Sequence, residues 1–305
     1  MLMAKNKIKS RYGALLLALN LYIGPVLAQE DPAQLLGQAW SEYGLQAFSS
    51  ADEIFSEVAE SSQANKEQRW QALLGSAYIM HYQMPGRDPE AAIPLYEALL
   101  KEVGDASEWR GQLLGRLADC HVELVPAQVG KARSLYKEAI SALAPESLLI
   151  PETSLRLLSS YIQRPDVEEI KRGLLLAEEL APRFIDTPFA SVFHGLRAEM
   201  AFFIADYVAL VDALDKQYRA GINNISVKEL VLFRLARIHE VELGDYKRAE
   251  QYYRRLAAEV PSSKKAHFAL LRADELKIGK LDSDYAPPLS TQVESDMAKE
   301  RPDGR

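Results

Sequence analysis

Cys120 and His121 stand side by side in this sequence, a thiol next to an imidazole, which is the material of a nucleophile and its base. On a helix, neighbouring residues point about 100° apart and cannot share a hydrogen bond, so adjacency alone makes no dyad. His81, His194 and His267 are scattered, with no second histidine or carboxylate at metal-ligand spacing. Glu168-Glu169 and Glu178-Glu179 could serve general acid–base chemistry, but on helix surfaces such pairs read as solvated faces. Tyr246, Tyr252 and Tyr253 could stack a sugar or a base, yet Tyr246 and Tyr253 belong to a repeat pattern described below, which leaves one ring. The chain contains no GxxxxGK, GxGxxG, GxSxG or HExxH motif. Asn224-Ile225-Ser226 is a glycosylation sequon by spelling alone. The residues therefore predict no catalytic group, no metal and no cofactor.

The elements that would carry these residues are helices. Between residues 31 and 280, apolar residues recur at spacings of three and four and never alternate over a useful length, which predicts an all-α chain. The composition, 48% apolar and 26% charged over 305 residues, is that of a folded protein. One cysteine is too few for a disulfide framework or a thiolate metal site. With 36 basic against 43 acidic residues, and no basic cluster beyond the N-terminus, sequence-independent nucleic-acid binding is not expected.

The first 28 residues read as an export signal. Lys5, Lys7, Lys9 and Arg11 precede an apolar stretch from Tyr12 to Leu21, Gly24-Pro25 ends any helix, and Val26-Leu27-Ala28 sets small residues before Gln29. The apolar stretch is shorter than the ~20 residues of a membrane span, so cleavage after Ala28 is expected rather than an uncleaved anchor. The remainder would carry 32 basic and 43 acidic residues, a net charge of −11. Residues 282–305 lack an apolar face and are expected to form a disordered tail.

Residues 29–281 are organised by a period near forty. A small residue, an aromatic four later and an aliphatic three after that recur as Ala51/Phe55/Val58, Ala92/Tyr96/Leu99, Ala132/Tyr136/Ala139 and Ala249/Tyr253/Leu256. Gly173/Ala177/Leu180 and Leu210/Leu214/Gln217 keep the spacing and lose the residue types, and the six anchors lie 41, 40, 41, 37 and 39 residues apart. Each is preceded by a large apolar residue, a small one, and a ring three further on: Leu36-Gly37 with Trp40, Leu74-Gly75 with Tyr78, Leu117-Ala118 with His121, Leu235-Ala236 with His239. Leu157-Leu158 with Tyr161 and Arg197-Ala198 with Ala201 keep part of that signature. Small residues let two helices approach to about 8–10 Å while the rings fill the gap beside them, so each unit is one helical hairpin and His121 and His239 are packed rings. Gly244-Asp245-Tyr246 and Ala205-Asp206-Tyr207 are turns within hairpins, and Pro145, Pro182 and Pro261 close second helices. Pro94 falls inside a second helix, near enough to its start to bend the first turns.

Leu235-Ala236, His239, Gly244-Asp245-Tyr246, Ala249, Tyr253, Leu256 and Pro261 resemble a tetratricopeptide repeat, and the resemblance extends more faintly over residues 31–280. The fourth and fifth units depart from it, and the spacing exceeds the roughly 34 residues usual for the family. The resemblance implies an α-α superhelix, a solenoid of about six hairpins that binds peptides or protein surfaces in a concave groove lined by the first helix of each hairpin. Carried onto this chain, the groove positions are Ser76, Asp119, Ser159, Glu199, Arg237 and Glu240, with Phe233 one turn earlier in the last unit. Phe233 and Arg237 are the expected anchors for a polar peptide. The competing expectation is that both pack against the helix after Pro261.

These readings converge on an exported, non-catalytic scaffold of the periplasm or cell envelope, holding a protein or peptide partner. The last unit resembles repeats of the Tol-Pal and outer-membrane assembly systems, without the preceding heptad segment of the Tol-associated protein or the lipobox cysteine of the assembly lipoprotein. The alternative is a peptidoglycan-acting enzyme or accessory subunit built on a helical superhelix, for which the 25 residues after 280 are too few to supply a catalytic domain. A structural subunit whose groove is filled by its own copy is a third possibility.

Overall fold

A computed structural model describes residues 31–83, 87–105, 107–163 and 166–281. The expected signal (1–28) and tail (282–305) lie outside the described residues. The described residues form thirteen α-helices and no strand, as the periodicity predicts. They divide into two compact units between Glu102 and Val103.

The first unit holds α1 (Pro32–Gly44), α2 (Phe48–Glu60), α3 (Lys66–Tyr82) and nearly all of α4 (Pro89–Val103). Asx side chains start three of these helices: Asp31 caps α1, Asn65 and Gln68 form a reciprocal capping box on α3, and Asp88 accepts from the Ala91 amide at the head of α4. Helix α4 continues through Pro94, whose missing N–H falls in its second turn. Leu35, Leu36, Ala39, Ala51, Phe55, Val58 and Ala72 form a core in which Trp40 meets the Phe55 ring edge-on at 4.9 Å. A Cβ at Gly75 would lie 2.4 Å from the Phe55 ring, so this glycine sits at a close approach of two helices. The same role expected of Gly37 is not found. A Cβ there meets nothing, and Ala39, two residues on and fully buried, is the small residue facing the core.

The second unit stacks α5 (Ser107–Glu123) on α6 (Val129–Ala142), α7 (Leu149–Ser159) with α8 (Val167–Leu180), α9 (Ala190–Phe203) on α10 (Tyr207–Arg219), and α11 (Ile225–Val241) on α12 (Tyr246–Glu259). Helix α13 (Lys264–Lys277) then covers the last hairpin. Each helix packs chiefly on its neighbours in sequence, the arrangement of an α-α superhelix. Helices α6, α8 and α12 stop before Pro145, Pro182 and Pro261 as expected. Asp206 and Asp245 cap α10 and α12, each following a residue in the left-handed region, Ala205 at φ 55° and Gly244 at φ 64°. Asn224, the sequon asparagine, accepts from the Ser226 and Val227 amides and so caps α11. Where Ala177 lacks the ring of its repeat position, Phe184 from a short 3-10 turn (Ala181–Phe184) stacks on Phe193 at 4.3 Å in the same core.

Candidate functional site

The residues suggestive of chemistry are held as packing. Cys120 is fully buried, and burial, reinforced by Asp119 and Glu123, pushes its thiol up to about 12, so it stays protonated and poorly nucleophilic. His121 is buried at the expected ring position. His239 lies flat on Tyr252, ring centroids 5.6 Å apart, and burial lowers its pKa below the ordinary histidine value. Tyr252 donates to Asp215 at 2.8 Å, and burial followed by that bond pushes its phenol up to about 12. Glu178 and Glu179 are exposed on α8, whereas Glu169 pairs with Arg133 and Arg172. Among the described residues no three His, Cys, Asp or Glu side chains gather as a metal site.

Of the seven predicted groove residues, three are buried. Asp119 is 4% exposed and accepts from the Tyr136 hydroxyl at 2.5 Å and from Arg156 Nη1 of the next hairpin at 2.6 Å. Glu240 is 5% exposed and accepts from the Tyr253 hydroxyl at 2.6 Å and from Arg272 Nε of α13 at 2.8 Å. Arg237 is buried beside it, its Nη1 3.4 Å from Glu240 Oε2. The placement of Asp119, Arg237 and Glu240 on an open groove is therefore corrected. A buried tyrosine hydroxyl without an acceptor costs roughly 1–3 kcal/mol, and these acids supply one while a helix further along the chain supplies the countercharge.

The other four differ among themselves. Phe233 is half-buried, edge-on to Tyr253 and to Phe268 with centroids 6.3 and 6.2 Å away, and Lys265 lies 5.0 Å from its ring centroid. It thus packs on the helix after Pro261, the competing expectation. Glu199 is half-buried and accepts from Arg234 of the next hairpin at 2.5 Å. Ser159 ends α7, half-buried. Ser76, on α3, lines an open groove of about 1020 Å³ between α2, α3 and α4 in the first unit.

That groove was not legible beyond Ser76. Its second wall is α2, a second helix of its hairpin, presenting Ser49, Asp52, Ser56 and Ala59 at helical spacing. Met80 of α3 and Leu95 of α4 stand in it, 38% and 37% exposed. Also unforeseen was the polar use of the repeat tyrosines: Tyr96 meets His81 Nδ1 at 3.2 Å, as Tyr136 meets Asp119 and Tyr253 meets Glu240. The signal was available, since the ring position carries Tyr in those three units and Phe55 in the first.

Residues 230–263 match the family model for the tetratricopeptide repeat. The last hairpin is tetratricopeptide-like. The match spans most of α11, all of α12 and the turn to α13, and so contains the Tyr253–Glu240 clasp. No curated protein matches the chain. Among solved structures, the TPR2AB domain of yeast Sti1 in its complex with pHSP90 is similar at 13% identity and a TM-score of 0.33, covering 81% of this chain and 98% of that one. The tetratricopeptide-like hairpin and the helical stacking of the second unit suggest a protein–protein interaction scaffold.

Proposed function

We propose that this chain is an exported, non-catalytic scaffold of a bacterial periplasm or envelope, and that it holds a peptide or protein partner in the groove of its first unit. The carrying observation is that groove: open, about 1020 Å³, floored by apolar side chains and walled by regular helices that give it a fixed shape. Supporting it, Asp119 and Glu240 of the second unit are buried in junctions between helices and do not face a groove, and Cys120 is too deeply buried to react. Export rests on the order of charges, apolar core and small residues in the first 28 positions. No helix among the described residues is long and apolar enough to cross a membrane.

A photo-crosslinking residue at Ser76, with Glu178 on α8 as the control site, tests the groove in cells. A discrete adduct from position 76 and none from 178 is the expected outcome; adducts from both, or from neither, remove the groove from this reading. Intact mass of the exported protein should give a chain beginning at Gln29. A chain retaining Met1 in the membrane fraction would refute the export signal.

A further inference from the structure

The first-unit groove has the dimensions and charge of a helix receptor. On α2, Ser49, Asp52, Ser56 and Ala59 form one ridge at spacings of three and four, and on α3 Ser76 and Met80 form part of the other. The α2 ridge runs over eleven residues, from 49 to 59, about 15 Å of helix or some three turns of an occupant. Short side chains at 49, 56, 59 and 76 allow a third helix to approach closely, and Met80 and Leu95 offer it adaptable apolar contact. The electrostatics have one sign. Asp52 and Glu60 line the groove, and no Lys, Arg or His does. Helix α2 carries Asp52, Glu53, Glu57 and Glu60 and no base, and residues 31–102 contain eleven acidic against four basic side chains.

We propose that the groove takes a cationic amphipathic helix of the partner protein, its apolar face on Met80 and Leu95 and its lysines or arginines on Asp52 and Glu60. This rests on the reading of the groove as the partner site and adds the chemistry of what enters it. An acidic or neutral segment would meet like charge or leave both carboxylates uncompensated, and docking of a second copy by its own α2 face would oppose acids to acids.

The test is titration of the full chain with a labelled 18-residue Leu/Lys amphipathic peptide and with its Leu/Glu counterpart, read by fluorescence anisotropy. The Leu/Lys peptide should bind saturably and the Leu/Glu peptide at least tenfold more weakly. Asp52→Lys with Glu60→Lys should weaken the Leu/Lys peptide tenfold or more, and Met80→Glu should weaken it without changing the melting curve. Glu178→Lys with Glu179→Lys, on exposed α8, should leave binding unchanged. If the charge-reversed groove unfolds, Asp52→Asn with Glu60→Gln replaces it, with a several-fold loss expected. Equal binding of both peptides, equal loss from the α8 variant, or a dimer in light scattering that Met80→Glu dissociates would each overturn the proposal. A Ser76 adduct that excess Leu/Lys peptide fails to displace would overturn the cationic helix while leaving the groove as the partner site; absence of any adduct would remove both.

Discussion

The last hairpin and the fourth solve the same packing problem with different materials. In the last, Ala249, Tyr253 and Leu256 are all fully buried, and the Tyr253 hydroxyl is tied through Glu240 to Arg272 on the following helix. In the fourth, the ring position holds Ala177, α7 spans 11 residues against 17 for α11, and the core is completed by Phe184 and Phe193 from elsewhere. The last hairpin is joined to the helix after it by a carboxylate and a guanidinium that are both buried, whereas the fourth reaches the third through Arg156, 37% exposed, on the buried Asp119. The family match falls on the last hairpin, at residues 230–263.

The largest expected effect breaks the polar junction. Glu240→Ala leaves Arg272, 1% exposed, without its buried carboxylate and should cost about 3–5 kcal/mol, seen as a lowered denaturant midpoint. Glu152→Ala in the fourth hairpin removes, at a half-exposed site, one of the two carboxylates that pair with Arg116 and Arg156, leaving them Asp119, and should cost under about 1 kcal/mol. Similar losses from the two would erase the distinction drawn between the hairpins.

A gentler cut tests the hydroxyl alone. Tyr253→Phe and Tyr136→Phe keep the ring and remove a donor from an acid that retains its arginine, at about 1–1.5 kcal/mol each. Because these sites belong to different hairpins and share no partner here, the losses should add within about 0.5 kcal/mol.

The turns sharpen the comparison from the other side. Gly244→Ala places a Cβ at φ 64° in the last hairpin and should cost about 1 kcal/mol, whereas Ala205→Gly relieves φ 55° in the fifth and should stabilise by up to about 1 kcal/mol. Melting curves showing the same sign for both would refute the strain.

The smallest effect is acid sensitivity at His194, on α9 beside Phe193. Burial, then Arg197 and Lys216, push it from 6.5 down to about 4. The unfolded chain takes up this proton near pH 6.5 and the folded chain resists it until about pH 4. Its contribution is thus complete above 6.5 and is lost as pH falls toward 4. With solvent on one side of the ring, the loss should stay under about 1 kcal/mol, and His194→Gln should flatten the melting temperature across that window.

The hairpins themselves were legible because helix pairing needs small residues and rings at spacings that survive in Ala51/Phe55/Val58 or Ala249/Tyr253/Leu256. Gly37 misled because a small residue marks a close approach only when it faces the neighbour, and Ala39 faces it instead. Asp119, Arg237 and Glu240 misled for a deeper reason. Their placement came from the resemblance, which says where a groove should lie, whereas Asp119 and Glu240 are buried against hydroxyls and guanidinium groups on other helices, up to 37 residues away, and Arg237 lies beside Glu240. Ser76 was found on the groove, but α2 was not, since nothing in a single helix announces which of its polar faces a second helix will turn into a wall.

Arg272 also donates to the main-chain carbonyls of Lys280 and Leu281. The guanidinium that closes the Glu240 junction therefore also holds the chain where it leaves α13. A tug on the backbone past residue 281 is borne by that side chain and handed through Glu240 to Tyr253, so α13 should not peel away turn by turn. The last three helices should instead resist as a rivet does, without yielding up to a threshold load, and then release together.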